Sequence, residues 1–157
     1  MTDFGKDGYR HGVGIVLLNE HGKVFVGRRI GMDNAWQMPQ GGMKAGETVE
    51  QAAHRELKEE IGTDQADLIG ESKEWFRYEV PPELVPKSWN GRWHGQAQKW
   101  FVMLFRGSDV DIDLATEQPE FSAWRWVNVS QLVGLAIPFK QELYTRVIGE
   151  FPHIFRD

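Results

Sequence analysis

The stretch from Gly41 to Gly62 constrains this chain more than any other. It opens as a glycine-rich loop, Gly41-Gly-Met-Lys-Ala-Gly46, and then takes on helical periodicity. Val49, Ala53, Leu57 and Ile61 recur every four residues, which predicts one apolar stripe along a helix. Thr48-Val-Glu-Gln51 fits a capping box, so the helix is expected to start near Thr48. Gly62 supplies the stop. A helix with a single apolar stripe must lie on a core built by other elements.

The same helix carries Arg55, Glu56, Glu59 and Glu60. At about 100° per residue, Glu56 and Glu60 point within roughly 40° of each other, with Glu59 one step round the same side. Glu60 borders the apolar stripe, so its carboxylate is expected to be only partly solvated. Neighbouring carboxylates raise each other's cost of ionisation. A hard divalent cation relieves that cost, and Mg²⁺ takes oxygen ligands while keeping waters free for a substrate phosphate. An acidic and basic helix face is more often simply solvated. Only the full pattern from Gly41 to Gly62 tips the balance toward a metal site. Gly41, Gly42 and Gly46 allow a close backbone approach, and Glu47, at the loop–helix junction, can pair with Arg55 and brace the loop.

The remaining segments can supply the core. Gly12 to Leu18 is a short apolar run expected to be a buried strand. Asn19 to Gly22 is turn chemistry, and Lys23 to Ile30 reads as the returning strand of a hairpin. Residues 31–40 are expected to be a loop. Strand-like segments follow at about 65–80 and 97–106, with a long excursion between them marked by Pro81, Pro82, Pro86, Asn90 and Gly91. Trp124 to Val127 reads as a strand. Ser130 is expected to cap a short helix to about Leu135, and Pro138 to open a last helix to about Gly149. Strands with one helix midway and another at the end suggest a mixed sheet with helices on both faces, an α/β class.

With 157 residues the chain suits a single domain, 8–157, behind a flexible N-terminus, 1–7. There is no cysteine, which excludes disulfides, zinc–thiolate sites and a cysteine nucleophile. No apolar run approaches the roughly 20 residues of a membrane span, and Met1 to Asp7 lacks a signal-peptide layout. A cytoplasmic protein is expected. The net charge of −5 argues against a protein that coats nucleic acid, while leaving room for a local basic pocket. None of the histidines has metal-ligand spacing, and Trp36, Trp100, Trp124 and Trp126 are assigned to the core.

Taken together, Gly41-x5-Glu47-x7-Arg55-Glu56-Leu57-x-Glu59-Glu60-x-Gly62 resembles the Nudix hydrolase box. Thr63 departs from it, standing where the family usually has an aliphatic residue. The resemblance implies an α/β/α sandwich and hydrolysis of nucleoside diphosphates linked to another group, dependent on Mg²⁺ or Mn²⁺. It makes Glu56 and Glu60 metal ligands, Glu59 a further ligand or base, and the backbone at Gly41 a carbonyl ligand. It gives Glu47, Arg55 and Gly62 structural parts in the box.

The flanks narrow the resemblance. Gly8-Tyr-Arg-His-Gly-Val-Gly14, Trp36-Gln-Met-Pro-Gln-Gly-Gly42, Gly95-Gln-Ala-Gln-Lys-Trp-Phe101, Pro119-Glu-Phe121 and Phe139-Lys140 look like one subgroup. It holds the RNA 5′-pyrophosphohydrolases and the dinucleoside polyphosphate (Ap4A-type) hydrolases. That likeness implies that Glu120 completes the metal site or acts as base. It implies that Arg10, Arg29, Lys99 and Lys140 grip phosphates, that Tyr78 contacts phosphate or nucleotide, and that Phe139 stacks on a base. The leading expectation is removal of pyrophosphate from the 5′-triphosphate end of RNA. Asymmetric cleavage of dinucleoside polyphosphates is the alternative, and the excursion with Ser88-Trp-Asn-Gly-Arg-Trp93 favours it. A non-catalytic nucleotide-binding module is less favoured, because Glu56, Glu59 and Glu60 are all present. Neither membrane nor DNA is expected as a partner, and the chain is expected to be a monomer or small homo-oligomer.

Overall fold

The computed structural model describes residues 7–155. Its centre is a parallel pair of long strands, β1 (Tyr9–Leu18) and β7 (Gly95–Phe105). They run in register from Tyr9 opposite Gly95 to Leu18 opposite Leu104. Both are buried over most of their length, as strands covered on two faces must be. β2 (Val24–Arg29) turns back antiparallel on β1, and β3 (Trp36–Gln37) and β8 (Phe121–Val127) pair with β2. β4 (Gln40–Gly42) is antiparallel to the start of β1. β5 (Ala66–Glu71) and β6 (Phe76–Glu79) are antiparallel to β7. The sheet is therefore mixed, as the sequence pattern predicts.

Alternation along β1 divides the core in two. Val13, Ile15 and Leu17 join Phe101 and Met103 beneath α1 (Val49–Ile61). Val16 and Leu18 join Trp100 and Val102 beneath α3 (Pro138–Glu150), which presents Leu143, Tyr144 and Val147. Helices thus cover both faces, the layered arrangement expected of the family.

α1 begins at the cap foreseen for it. The Thr48 hydroxyl accepts from the Gln51 N–H at 3.1 Å, and the Gln51 side chain accepts from the Thr48 N–H at 3.0 Å. Such caps contribute about 1 kcal/mol. The helix stops where Gly62 takes φ 82°, a left-handed value that disfavours side chains. Its buried face holds Ala52, Ala53, Leu57 and Ile61, with Glu60 among them.

Several local expectations are corrected. β1 starts at Tyr9, ahead of Gly12, because its first residues pair with β7. Residues 31–40 contain β3 and the start of β4, strands too short to show a period of two. The segment 65–80 is two strands, broken at Ser72, whose hydroxyl accepts from the Trp100 N–H at 3.0 Å. Asn128, not Ser130, caps the turn that leads into α2 (Leu132–Leu135), exchanging hydrogen bonds with Gln131. The expected flexible segment 1–7 lies outside the described residues except for Asp7, which pairs with Arg77 at 3.0 Å. Among the described residues, no helix is long and apolar enough to cross a membrane.

Candidate active site

One cleft of about 1040 Å³ collects most of the residues singled out from the sequence. One wall is the charged side of α1 with the Gly41–Lys44 loop, and Arg10 and Arg29 reach in from β1 and β2. Glu120 enters from the segment before β8, and Trp89 from the excursion between β6 and β7. A smaller recess of about 70 Å³ opens beside it, between Tyr78, Phe139, Lys140, Arg29 and Trp89.

β4 brings the loop backbone against α1 so closely that a side chain at Gly41 would overlap the Glu56 carboxyl. One at Gly42 would overlap the Arg10 guanidinium. This close approach is what the loop glycines make possible.

Arg55 braces the loop. It donates to both oxygens of Glu47, at 2.5 and 2.9 Å, and to the Gly42 carbonyl at 2.8 Å. Its remaining nitrogen reaches Glu56 at 2.7 Å and Glu59 at 3.1 Å. The Glu47 bond is the largest influence holding the guanidinium in its charged form, followed after burial by Glu56. Glu47 is held below its usual carboxylate range, Arg55 being the main cause. The brace expected between Glu47 and Arg55 is present.

The three helix carboxylates occupy different environments. Glu59 is half-exposed and also faces Lys44 at 3.9 Å. Glu56 is mostly buried, and burial pushes its carboxyl up against the opposing influence of Arg55. Glu60 is only 5% exposed, and among the described residues its one hydrogen bond is a 3.3 Å contact from the Gln40 N–H. Burial pushes Glu60 well above the usual carboxylate range, and the charges of Glu56 and Glu120 push it further. Among the described residues no three acidic or histidine side chains stand preassembled as a metal cluster. Arg55 holds Glu56 and Glu59, and Glu60 turns toward Gln40. The donor set still suits a hard divalent cation. A buried carboxylate with one weak hydrogen bond, beside two more acids and an open cleft, gains most from a positive ion.

The cationic and aromatic residues lie opposite. Lys140 is 2% exposed at the start of α3, and its ammonium donates to Gln37 at 2.9 Å and Gln40 at 3.1 Å. Burial first, and Arg29 second, bring its pKa down to about 7, against the pull of Glu60 and Glu120. Tyr78, buried and brought up to about 12 by that burial, accepts from the Gln96 amide at 2.5 Å. Phe139 stacks on Tyr78 with ring centroids 6.1 Å apart. Arg10 lies 5.9 Å from the Trp89 ring, and its guanidinium is shifted down by burial, with Glu56 opposing.

Lys99 is not brought into this cleft. Its ammonium donates to the Ser72 carbonyl at 2.5 Å and pairs with Glu71 at 3.4 Å. On β7 the cleft-lining Gln96 and the buried Gln98 alternate with Lys99, so Lys99 falls on the other face.

Gln37, Gln40, Gln96 and Trp89 line the cleft and were missed by sequence reasoning. A signal existed for Gln96 and Gln98. Polar side chains two apart in an otherwise apolar strand must find partners or face a cavity, and the Gln96 carbonyl oxygen has no partner among the described atoms.

Comparison with known proteins identifies the family and the fold. A family model for the NUDIX domain matches residues 8–147. The chain is 53% identical over 149 residues to an RNA pyrophosphohydrolase of Wolbachia pipientis from Culex pipiens, covering 94% of this chain and 92% of that protein. It is 56% identical over 142 residues to an RNA pyrophosphohydrolase of Rhodospirillum rubrum, covering 90% and 86%. Among solved structures, a C. elegans Ap4A hydrolase binary complex superposes with a TM-score of 0.65 at 20% identity, covering 89% of this chain and 96% of that one. The E. coli dihydroneopterin triphosphate pyrophosphohydrolase does so with 0.64 at 21%, covering 88% and 95%. At such identities the structural likeness speaks for the fold. The chain belongs to the Nudix hydrolase family.

Proposed function

We propose that this protein removes pyrophosphate from the 5′-triphosphate end of RNA and leaves a 5′-monophosphate, with Mg²⁺ or Mn²⁺ as cofactor. The observation that carries this reading is the make-up of the cleft. Buried helix carboxylates face Arg10, Arg29 and Lys140, with the stacked Tyr78–Phe139 pair in the adjoining recess. The similarity to RNA pyrophosphohydrolases over nearly the whole chain supports the choice of substrate.

Glu56 and Glu60, with the Gly41 carbonyl, would hold the divalent ions. Bound there, such ions neutralise polyphosphate charge and lower the pKa of water. The chain's own residues supply the rest. Arg10 and Arg29 grip phosphate oxygens as forks, and Lys140 as a point charge. Phe139 holds a nucleobase by stacking. Water attacks phosphorus as the phosphoanhydride bond breaks in line, and its proton passes to a carboxylate. Glu120 and Glu59, the exposed acids of the site, fit that task better than Glu60. The reaction needs no protein nucleophile.

Asymmetric cleavage of dinucleoside polyphosphates is a second reading. The excursion that carries the buried Trp89 into the cleft wall favours it, because its Ser88-to-Trp93 stretch looks like that of the dinucleotide hydrolases. Product analysis on triphosphorylated RNA tests the first reading. The expected products are pyrophosphate and 5′-monophosphorylated RNA, made only with divalent ion. Absence of any metal-dependent product from that RNA refutes it.

A further inference from the structure

A basic aromatic surface lies beside the cleft, built from residues that do not line it. The Arg125 guanidinium sits 4.4 Å and the Arg28 guanidinium 5.8 Å from the centre of the Trp36 ring. The three come from paired strands: β2 sets Arg28 opposite Trp36 of β3, and Val26 opposite Arg125 of β8. Arg28, half-buried, donates its Nε to the Ser122 hydroxyl at 3.1 Å, which orients the fork. Arg125 is exposed. Among the described residues neither arginine has a carboxylate within ion-pair distance, unlike Arg55, Arg77 and Arg106. In a chain of net charge −5, this is a local positive surface without internal compensation.

Its position ties it to the cleft. Arg28 precedes Arg29, and Trp36 precedes Gln37; Arg29 and Gln37 both line the cleft. Alternation along β2 and β3 turns Arg28 and Trp36 to the sheet face opposite Arg29 and Gln37, so RNA leaving the cleft reaches this surface by passing round the end of β2 at Arg29.

We propose that Arg28, Trp36 and Arg125 form a platform for the phosphates of single-stranded RNA downstream of the 5′ end. The inference rests on the reading of the cleft as an RNA 5′-end site and adds where the chain goes from there. Guanidinium forks match phosphate oxygens in a bidentate way. Stacking on Trp36 orders both forks in advance, so less freedom is lost when RNA binds. A dinucleoside polyphosphate has no downstream chain to engage the platform. The surface therefore acts as a specificity element for RNA, without touching the reacting phosphate.

The test compares wild type, Arg125→Ala and the Arg28→Ala/Arg125→Ala double variant across a range of salt. The substrates are a 5′-triphosphorylated dinucleotide, a 5′-triphosphorylated single-stranded decamer, and Ap4A. On the decamer, kcat/KM should fall roughly two- to fivefold per arginine removed. The slope of its logarithm against log salt should become shallower by roughly 0.7 for each phosphate that is no longer neutralised. Values for the dinucleotide and Ap4A should stay as in the wild type. Arg125→Gln, which keeps much of the side-chain stem over Trp36, should reproduce the loss and separates charge from packing. An unchanged decamer slope, or equal losses on decamer and dinucleotide, overturns the platform. Failure of the wild type to process either RNA refutes the cleft reading itself, before any variant is compared.

Discussion

Glu60→Gln probes the site from both its stability and its chemistry. The substitution keeps the shape of the side chain and an oxygen for the Gln40 N–H, and it removes one buried charge. Glu60 has its folded-state pKa raised, so the native protein holds this proton more tightly than the unfolded chain. The sign follows: wild-type stability in chelator falls as pH rises from the ordinary glutamate range through the raised folded-state value. Near neutral pH in chelator, the variant should be more stable by about 1–3 kcal/mol, the cost of a poorly satisfied buried group. For a domain of this size that is a Tm increase of about 2–12 °C. Divalent ion at a hundred times its Kd should return about 2.7 kcal/mol to the wild type and much less to the variant. Turnover should drop by about 4 kcal/mol of transition-state stabilisation, roughly a thousandfold in kcat. Thermal melts with and without chelator, beside steady-state kinetics, read both effects. A variant less stable than wild type in chelator, or one retaining turnover, refutes Glu60 as a strained metal ligand.

Three further substitutions address separate parts of the site. Gly41→Ala should displace the Glu56 carboxyl and lower kcat roughly 10- to 100-fold while the far-ultraviolet dichroism stays native; full activity would show that the close approach does not matter. Phe139→Ala should raise KM for nucleotide substrates roughly 5- to 150-fold, from a stacking energy of about 1–3 kcal/mol, whereas an unchanged KM would return Phe139 to a packing role. Lys140 has its pKa lowered to about 7, so the unfolded chain binds more protons than the native one between that value and the ordinary lysine range. Wild-type stability should therefore rise with pH across that window, and Lys140→Met should flatten the rise in thermal melts; an identical slope in both proteins would contradict the buried position of the ammonium.

The residues legible in the sequence are those whose partners are near in the chain. Thr48 and Gln51 cap α1 across one turn, Gly62 ends it, and Arg55 meets Glu47 eight residues away. The helix period alone put Glu56 and Glu60 on one side. The features that escaped notice depend on distant partners. The sequence marks Lys140 as a phosphate ligand but not its burial, and its hydrogen-bond partners Gln37 and Gln40 lie about a hundred positions earlier. Gln96 reaches the cleft only because β6 sets Tyr78 beside it. Lys99 resembles a phosphate ligand in its motif, yet strand alternation and the break at Ser72 give its ammonium to Glu71 and the Ser72 carbonyl. Asn128 and Ser130 are both plausible caps in isolation, and the exchange with Gln131 selects Asn128. β3 and β4 were hidden because two or three residues carry no periodicity, although they bring Gly41 onto α1.

The central claim is that this cleft works on the triphosphorylated end of RNA. The most direct measurement is the pair of specificity constants for 5′-triphosphorylated RNA and Ap4A, taken with the same enzyme, metal and salt. The larger constant is expected for RNA, with pyrophosphate released and a 5′-monophosphate left. A larger constant for Ap4A, with RNA left triphosphorylated, would contradict it.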